Sequence, residues 1–231
     1  MSSRPVALVT GASRGIGAAV ARALAPTHDL LLGGRDRQAL EALAEELPGA
    51  RPWVVELTDT RALAEATAGI ERLDVLVHSA GVVGRLRPIA EVPAEVWRHT
   101  LEVNVVAVAE LTRLLLPALR VAHGHVVLIN SGAGLRANPN WAAYAASKFA
   151  LRAFADALRA EEEPNGLRVT SVHPGRTATD MQREVRDQEG GTFDPDRYLR
   201  PESVAAAVLA AVSAGRDAHV TEVVVRPGPR G

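Results

Sequence analysis

Apolar β-type runs alternate with amphipathic helical stretches from one end of the chain to the other, and this alternation restricts the fold more than any other feature. Val6–Val9, Leu30–Leu32, Trp53–Val55, Val75–Val77, His125–Ile129, Arg168–Val172 and Val220–Val225 read as strands. Several are unbroken apolar runs, the pattern of strands covered on both faces of a parallel sheet. Between them Ile16–Ala25, Arg37–Leu47, Arg61–Ala68, Ala94–Leu119, Ala143–Glu162 and Pro201–Ala214 read as helices. The last has proline at a first turn and stops before Gly215, matching the usual start and stop signals. Strand–helix–strand units of this kind form right-handed crossovers between parallel strands. The pattern predicts one α/β domain over residues 1–231, a doubly wound parallel sheet of about seven strands flanked by helices. The least patterned segment, Gln182–Arg200, is polar and contains Gly190, Gly191 and Pro195. It is predicted to be a mobile loop beside the site.

Charge and composition remove several function classes. Twenty-six basic residues against 27 acidic ones give a net charge of −1, which carries no footprint for nucleic acid or an anionic membrane. The first apolar run, Val6–Val9, is too short for a signal peptide. The longest apolar region, Val103–Val121, is broken by Asn104, Glu110, Arg113 and Arg120, so no membrane span is predicted. The absence of cysteine excludes disulfides, thiolate nucleophiles and cysteine-ligated metals, and it fits a reducing cytoplasm. His123 and His125 fall on a turn and a strand start with no neighbouring carboxylate, so no metal site is expected.

Two local patterns carry chemistry. Strand Val6–Val9 runs through Thr10-Gly11-Ala12-Ser13-Arg14-Gly15-Ile16-Gly17 into a helix. Glycines there permit a tight turn and close approach of a phosphate, and the helix start supplies free N–H groups. Tyr144 and Lys148 stand four apart on a helix, so their side chains share a face. Lys148 is the only lysine among 26 basic residues, and one of only two tyrosines precedes it by one helical turn. An ammonium beside a phenol favours the phenolate, which predicts a lowered Tyr144 pKa and a proton donor or acceptor usable near neutrality.

These motifs, at the spacing Gly-x-x-x-Gly-x-Gly and Tyr-x-x-x-Lys, resemble the short-chain dehydrogenase/reductase family in its single-domain form. The similarity runs over residues 5 to 226 in the family's order. Asp74-Val-Leu-Val-His78-Ser79-Ala80-Gly81 is similar to a family strand that ends in Asn-Asn-Ala-Gly, with His78-Ser79 in place of the paired asparagines. Asn104, Ser131, Tyr144 and Lys148 match the catalytic positions. The resemblance implies that Ser131 orients a carbonyl oxygen, that Tyr144 exchanges the proton, and that Lys148 tunes Tyr144 and binds the nicotinamide ribose. It also implies that Asn104 holds a relay water. His173-Pro174-Gly175-Arg176-Thr177-Ala178-Thr179 resembles the segment that closes over the nicotinamide.

A Rossmann-type dinucleotide site is therefore expected at Gly11, Ser13, Arg14, Gly15, Ile16, Gly17, Arg35, Glu56, Leu57, Ser79, Ala80, Gly81, Tyr144, Lys148, Pro174, Gly175, Thr177 and Thr179. Glu56 stands where the family usually has an aspartate near adenine. The second strand ends Leu32-Gly33-Gly34-Arg35 with no acid at the turn, and Arg14 lies in the glycine loop. Two guanidiniums suit a 2′-phosphate, so NADPH is the expected cofactor. The predicted activity is reduction of a ketone or aldehyde, reversible as alcohol dehydrogenation. A redox-sensing dinucleotide-binding protein without turnover is the alternative. Val82–Arg87, Gly132–Arg136, Trp141 and the 182–200 loop are expected to line the substrate pocket, with Arg85, Arg87 and Arg136 available to an acidic group. The resemblance implies a homo-oligomer, tetramer or dimer, with Ala143, Ala146, Ala150, Ala153 and Ala157 forming a small-residue stripe for close helix packing.

Overall fold

The computed structural model describes residues 4–228; the ends of the predicted domain lie outside the described residues. Strands β1 (Val6–Thr10), β2 (Asp29–Gly34), β3 (Ala50–Val54), β4 (Val75–His78), β5 (His125–Ile129), β6 (Arg168–Pro174) and β7 (Glu222–Val225) form one sheet. Their order is β3-β2-β1-β4-β5-β6-β7, and every pairing is parallel. The predicted doubly wound fold is the observed one.

Helices cover both faces because alternate strand residues point to opposite sides. On one face Ala7, Val9, Leu30 and Leu32 pack with α1 (Gly15–Leu24), α2 (Arg37–Glu46) and α8 (Pro201–Val212). On the other, Leu8, Leu31, Leu76 and Leu128 pack with α3 (Thr60–Thr67), α5 (Ala107–Ala122) and α6 (Ala142–Glu162). Buried Ala18, Ala19 and Ala21 keep α1 slim against its neighbours, and α1 lies on α8.

Two predicted elements differ from the structure. The expected helix Ala94–Leu119 is divided into α4 (Ala94–Leu101), a π-helical turn at Glu102–Val106, and α5. Asn104 sits in that turn and is 1% exposed, so the ladder is reshaped where a buried carboxamide must find partners. The first part of the predicted loop is also helical, as α7 (Asp180–Gln188). Only Gln182 and Val185 of α7 are buried, so its apolar stripe is too thin to register as periodicity. Tertiary ties hold it instead. Gln188 Oε1 accepts the Leu86 N–H (2.8 Å), and its Nε2 donates to the Gly84 carbonyl (3.0 Å). Glu189 accepts from Arg176 (2.5 Å) and Arg186 (2.7 Å).

Candidate active site

The sheet's winding reverses at β1, which has β2 on one side and β4 on the other. Such a switch point opens a crevice at the carboxyl ends of the strands. The glycine loop lies in it, and its geometry requires glycine. At Gly11 (φ +66°) a Cβ would stand 2.8 Å from the Ala80 nitrogen, and at Gly17 it would stand 2.2 Å from the Gly11 carbonyl. Thr10 Oγ1 completes the join by accepting the N–H groups of Ser79 (3.1 Å) and Ala80 (3.2 Å), a role sequence reasoning missed. α1 begins without a side-chain cap and without an acidic residue in its first turn. Its leading N–H groups therefore suit a phosphate. Ser13, Gly15 and Ile16 are partly exposed there, so the cradle fits the dinucleotide expected from the sequence.

β5 delivers Asn130 and Ser131, and α6 delivers Tyr144 and Lys148. Ser131 Oγ accepts the Ala133 N–H (3.1 Å) and is hydrogen-bonded to Tyr144. Lys148 Nζ donates to the Ile129 carbonyl (3.0 Å) and lies 5.7 Å from the Tyr144 ring centre. Asn130, not anticipated from sequence, joins the two elements. Its Oδ1 accepts the Ser131 N–H (2.9 Å) and its Nδ2 donates to the Lys148 carbonyl (3.2 Å). Gly134 follows from that junction, because a Cβ there would lie 2.5 Å from Asn130 Oδ1.

Asn104 is bound into the same centre. Its Nδ2 donates to the Val82 carbonyl (2.8 Å) and to Ser147 Oγ (3.0 Å), while Oδ1 accepts the Val82 N–H (2.9 Å). Both amide hydrogens are committed, so the side chain fixes the strand after Gly81 against α6. A Cβ at Gly81 would stand 3.1 Å from Asn104 Oδ1 and 3.9 Å from Lys148 Nζ, so only the bare backbone leaves that space open.

Burial governs the protonation states. Tyr144 is 8% exposed and Lys148 5% exposed. Burial pushes the Tyr144 phenol above its ordinary value, and the Ser131 hydrogen bond offsets only part of this. Burial also lowers Lys148 to about 8. The predicted lowering of Tyr144 by Lys148 is therefore corrected: desolvation sets the direction here and favours the protonated phenol. His78, the departure from the paired asparagines, is buried and pushed down to about 3 by desolvation. It is hydrogen-bonded to Thr112 Oγ1 (2.9 Å), tying β4 to α5.

The residues expected at the adenosine end are mutually engaged. Arg35 donates to Glu56 Oε2 (3.2 Å), and Glu56 Oε1 accepts from Thr58 N (3.1 Å) and Thr58 Oγ1 (3.0 Å). Burial opposes ionisation of Glu56, but the Thr58 bonds and Arg35 hold its carboxyl below the usual range. Arg14 lies 3.6 Å from Asp180, with both largely exposed. Thr179 caps α7 by accepting the Gln182 N–H (3.3 Å).

A cavity of about 680 Å³ joins these parts, lined by Ile16, Ser131, Tyr144, Pro174, Gly175, Thr177 and Thr179 on the reacting side. Val83, Gly132, Ala133, Arg136, Trp141 and Gln182 line it as expected, while Val82 and Leu135 are not among its walls. Arg85 and Arg87 are corrected: they line a different cavity, of about 760 Å³, beside α4 and α7. Gln188, whose side chain holds the Gly84–Leu86 segment to α7, lines that second cavity with them. Val185, Arg186, Arg197 and Tyr198 of the expected 182–200 loop also line it, whereas Arg226 and Pro227 are wall residues that sequence reasoning missed, since they come from a distant part of the chain.

The sequence profile of the short chain dehydrogenase family matches residues 5–190. This chain belongs to that family. It is thus a short-chain dehydrogenase/reductase, of the class of NAD(P)-dependent oxidoreductases. It is 34% identical over 232 residues to an uncharacterised short-chain type dehydrogenase/reductase of Sinorhizobium fredii, covering 98% of this chain and 93% of that protein. It is 36% identical over 239 residues to a glycine betaine reductase of Emericella nidulans, a match covering 97% of this chain but 19% of that much longer protein. A short-chain dehydrogenase of Escherichia coli solved with NADPH superposes with a TM-score of 0.87 at 30% identity, covering 98% of each chain.

Proposed function

We propose that this short-chain dehydrogenase/reductase is a cytoplasmic, homo-oligomeric NADPH-dependent carbonyl reductase, reversible as an alcohol dehydrogenase. The observation that carries the reading is the buried Ser131–Tyr144 hydrogen bond with Lys148 behind it, opening onto the cavity that Pro174, Gly175 and Thr177 also line. NADPH, when bound, supplies a hydride to the carbonyl carbon. Gly11–Gly17 would hold its phosphates, and Arg14 and Arg35 the 2′-phosphate.

In this reading Ser131 and Tyr144 both donate hydrogen bonds to the carbonyl oxygen. As negative charge develops there the bonds strengthen, and Tyr144 transfers its proton. Its raised pKa keeps the proton in place until that charge appears. Lys148 stabilises the resulting phenolate, and Asn130 and Asn104 keep β5, α6 and the Gly81–Val82 strand in register around it. The NADPH-bound Escherichia coli relative supports the cofactor assignment. Stopped absorbance at 340 nm with a panel of ketones and aldehydes tests the proposal. NADPH oxidation is the expected result; tight NADPH binding without oxidation of any member favours a redox sensor.

A further inference from the structure

The walls of the site cavity carry an unbalanced charge. Arg136, Arg176, Arg186, Arg197 and Arg226 line it, and no aspartate or glutamate does. Glu189 lies outside the lining and takes Arg176 and Arg186 together, at 2.5 and 2.7 Å. The remaining three have no carboxylate partner among the described residues. Arg226 donates only to the His173 carbonyl (3.3 Å), and its guanidinium lies 3.0 Å from where a Gly132 Cβ would stand, next to Ser131. Arg136 and Arg197 are exposed, with no side-chain hydrogen bond or ion pair among the described residues. Gln182, 6% exposed, also lines the cavity, and its buried Nε2 has no hydrogen-bond partner among the described residues. Unmatched guanidiniums around a concave, partly apolar pocket select an anion, because a planar fork pairs bidentately with carboxylate or phosphate.

These cations are distinct from those assigned to the cofactor. Arg14 and Arg35 stand at the ends of β1 and β2, whereas Arg136 follows Ser131 on the β5 side and Arg197 follows α7. Trp141 connects the two regions of the wall, packing edge-on to Tyr144 at 5.8 Å and facing the Arg176 guanidinium at 5.8 Å. A substrate with its carbonyl at Ser131 and Tyr144 would lie in the cavity whose walls also carry Arg136, Arg197 and Arg226.

We infer that the substrate is an anionic carbonyl compound, its carboxylate or phosphate held by Arg136, Arg197 and Arg226 while its ketone or aldehyde meets Ser131 and Tyr144. The inference rests on the proposed reductase activity. The anionic group changes no bonds: the carbonyl carbon takes the hydride, its oxygen takes the Tyr144 proton, and the product is a hydroxy acid or hydroxy phosphate.

Matched substrates test it. With NADPH, kcat/KM is compared for benzoylformate against its methyl ester and for dihydroxyacetone phosphate against dihydroxyacetone. At least a tenfold preference for the charged member of one pair is expected, the pair identifying carboxylate or phosphate. In the Arg136→Gln/Arg197→Gln variant that ratio should fall toward one, a change that general loss of structure does not produce. Equal use of charged and neutral members, or an unchanged ratio in the variant, overturns the inference and leaves the reductase reading intact. If no pair is turned over, the ketone and aldehyde panel decides the reductase reading, and calorimetry on the NADP⁺-saturated protein decides the anion site. Benzoylformate or dihydroxyacetone phosphate binding that weakens tenfold or more in the variant upholds it; no binding, or unchanged binding, overturns it.

Discussion

At the scale of single residues the proposed reaction depends on placing one proton. Tyr144→Phe removes only the phenol oxygen and keeps the ring against Trp141. Loss of a general acid costs roughly 10²–10⁴-fold. We expect kcat to fall at least about a hundredfold, with NADPH affinity changed only a few-fold when titrated by fluorescence. Arg35 offers a second residue-scale test. Its pairing with Glu56 is exposed, so that ion pair adds little stability and leaves the guanidinium available to a 2′-phosphate. Arg35→Ser should weaken NADPH about ten- to a hundredfold, the worth of about 1.5–3 kcal/mol in charged hydrogen bonds. NADH, which lacks that phosphate, should bind within about threefold of the wild type. Equal loss for both cofactors would mean that Arg35 shapes the turn rather than the phosphate site.

At the scale of elements, α7 is the piece whose order depends on contacts made elsewhere. Its sequence is polar, and two hydrogen bonds from Gln188 fasten it to the segment Gly84–Leu86. Gln188→Leu removes both and leaves the Leu86 N–H buried without a partner. Net losses of about 0.5–1.5 kcal/mol per bond predict a fall in Tm of roughly 2–10 °C. Hydrogen exchange at Leu86 and along α7 should quicken, while β5 and α6 stay protected. If exchange quickened uniformly, α7 would be part of the global unfolding unit rather than a separately tethered element. The π-helical turn at Asn104 has the same lesson: its carboxamide is satisfied by Val82 and Ser147, partners far from it in the chain.

For the whole molecule, two buried histidines set the acid limit. His78 and His125 are each pushed down to about 3, mainly by desolvation. Below an unfolded value near 6.5 the unfolded chain binds protons that the folded chain refuses. Stability is therefore fully present above about pH 6.5 and is lost as pH falls from there toward 3. At pH 5 the loss is roughly 2 kcal/mol for each histidine. Urea titrations should show it, and His78→Asn should reduce the proton uptake on unfolding at pH 5 by about one. Assembly is the other whole-molecule property. Ala146, Ala153 and Ala157 face outward on α6, beside Phe149 at 42% exposure, rather than toward the sheet. That small-residue face suits close pairing of helices between copies of the chain. Light scattering should give a multiple of 24.4 kDa, and Ala153→Glu should lower it. A 24.4 kDa particle for the wild type at micromolar concentration would defeat the oligomer proposal.

The sequence by itself determined the parallel sheet, because buried strands such as Val75–Val77 and His125–Ile129 must be apolar throughout. It also pointed to the candidate centre: Gly11 and Gly17 stand where backbones nearly touch, Gly15 where φ is positive, and Tyr144 and Lys148 share a helix face by spacing alone. Tertiary structure decided what depends on partners far along the chain. It raised the Tyr144 pKa, since burial is a property of the assembled core and not of the four-residue spacing. It recruited Asn130 and Thr10 as braces, made a helix of Asp180–Gln188, and placed Arg85 and Arg87 on a different cavity. It brought Arg226 into the same cavity wall as Ser131 from more than ninety positions away, which no local pattern records.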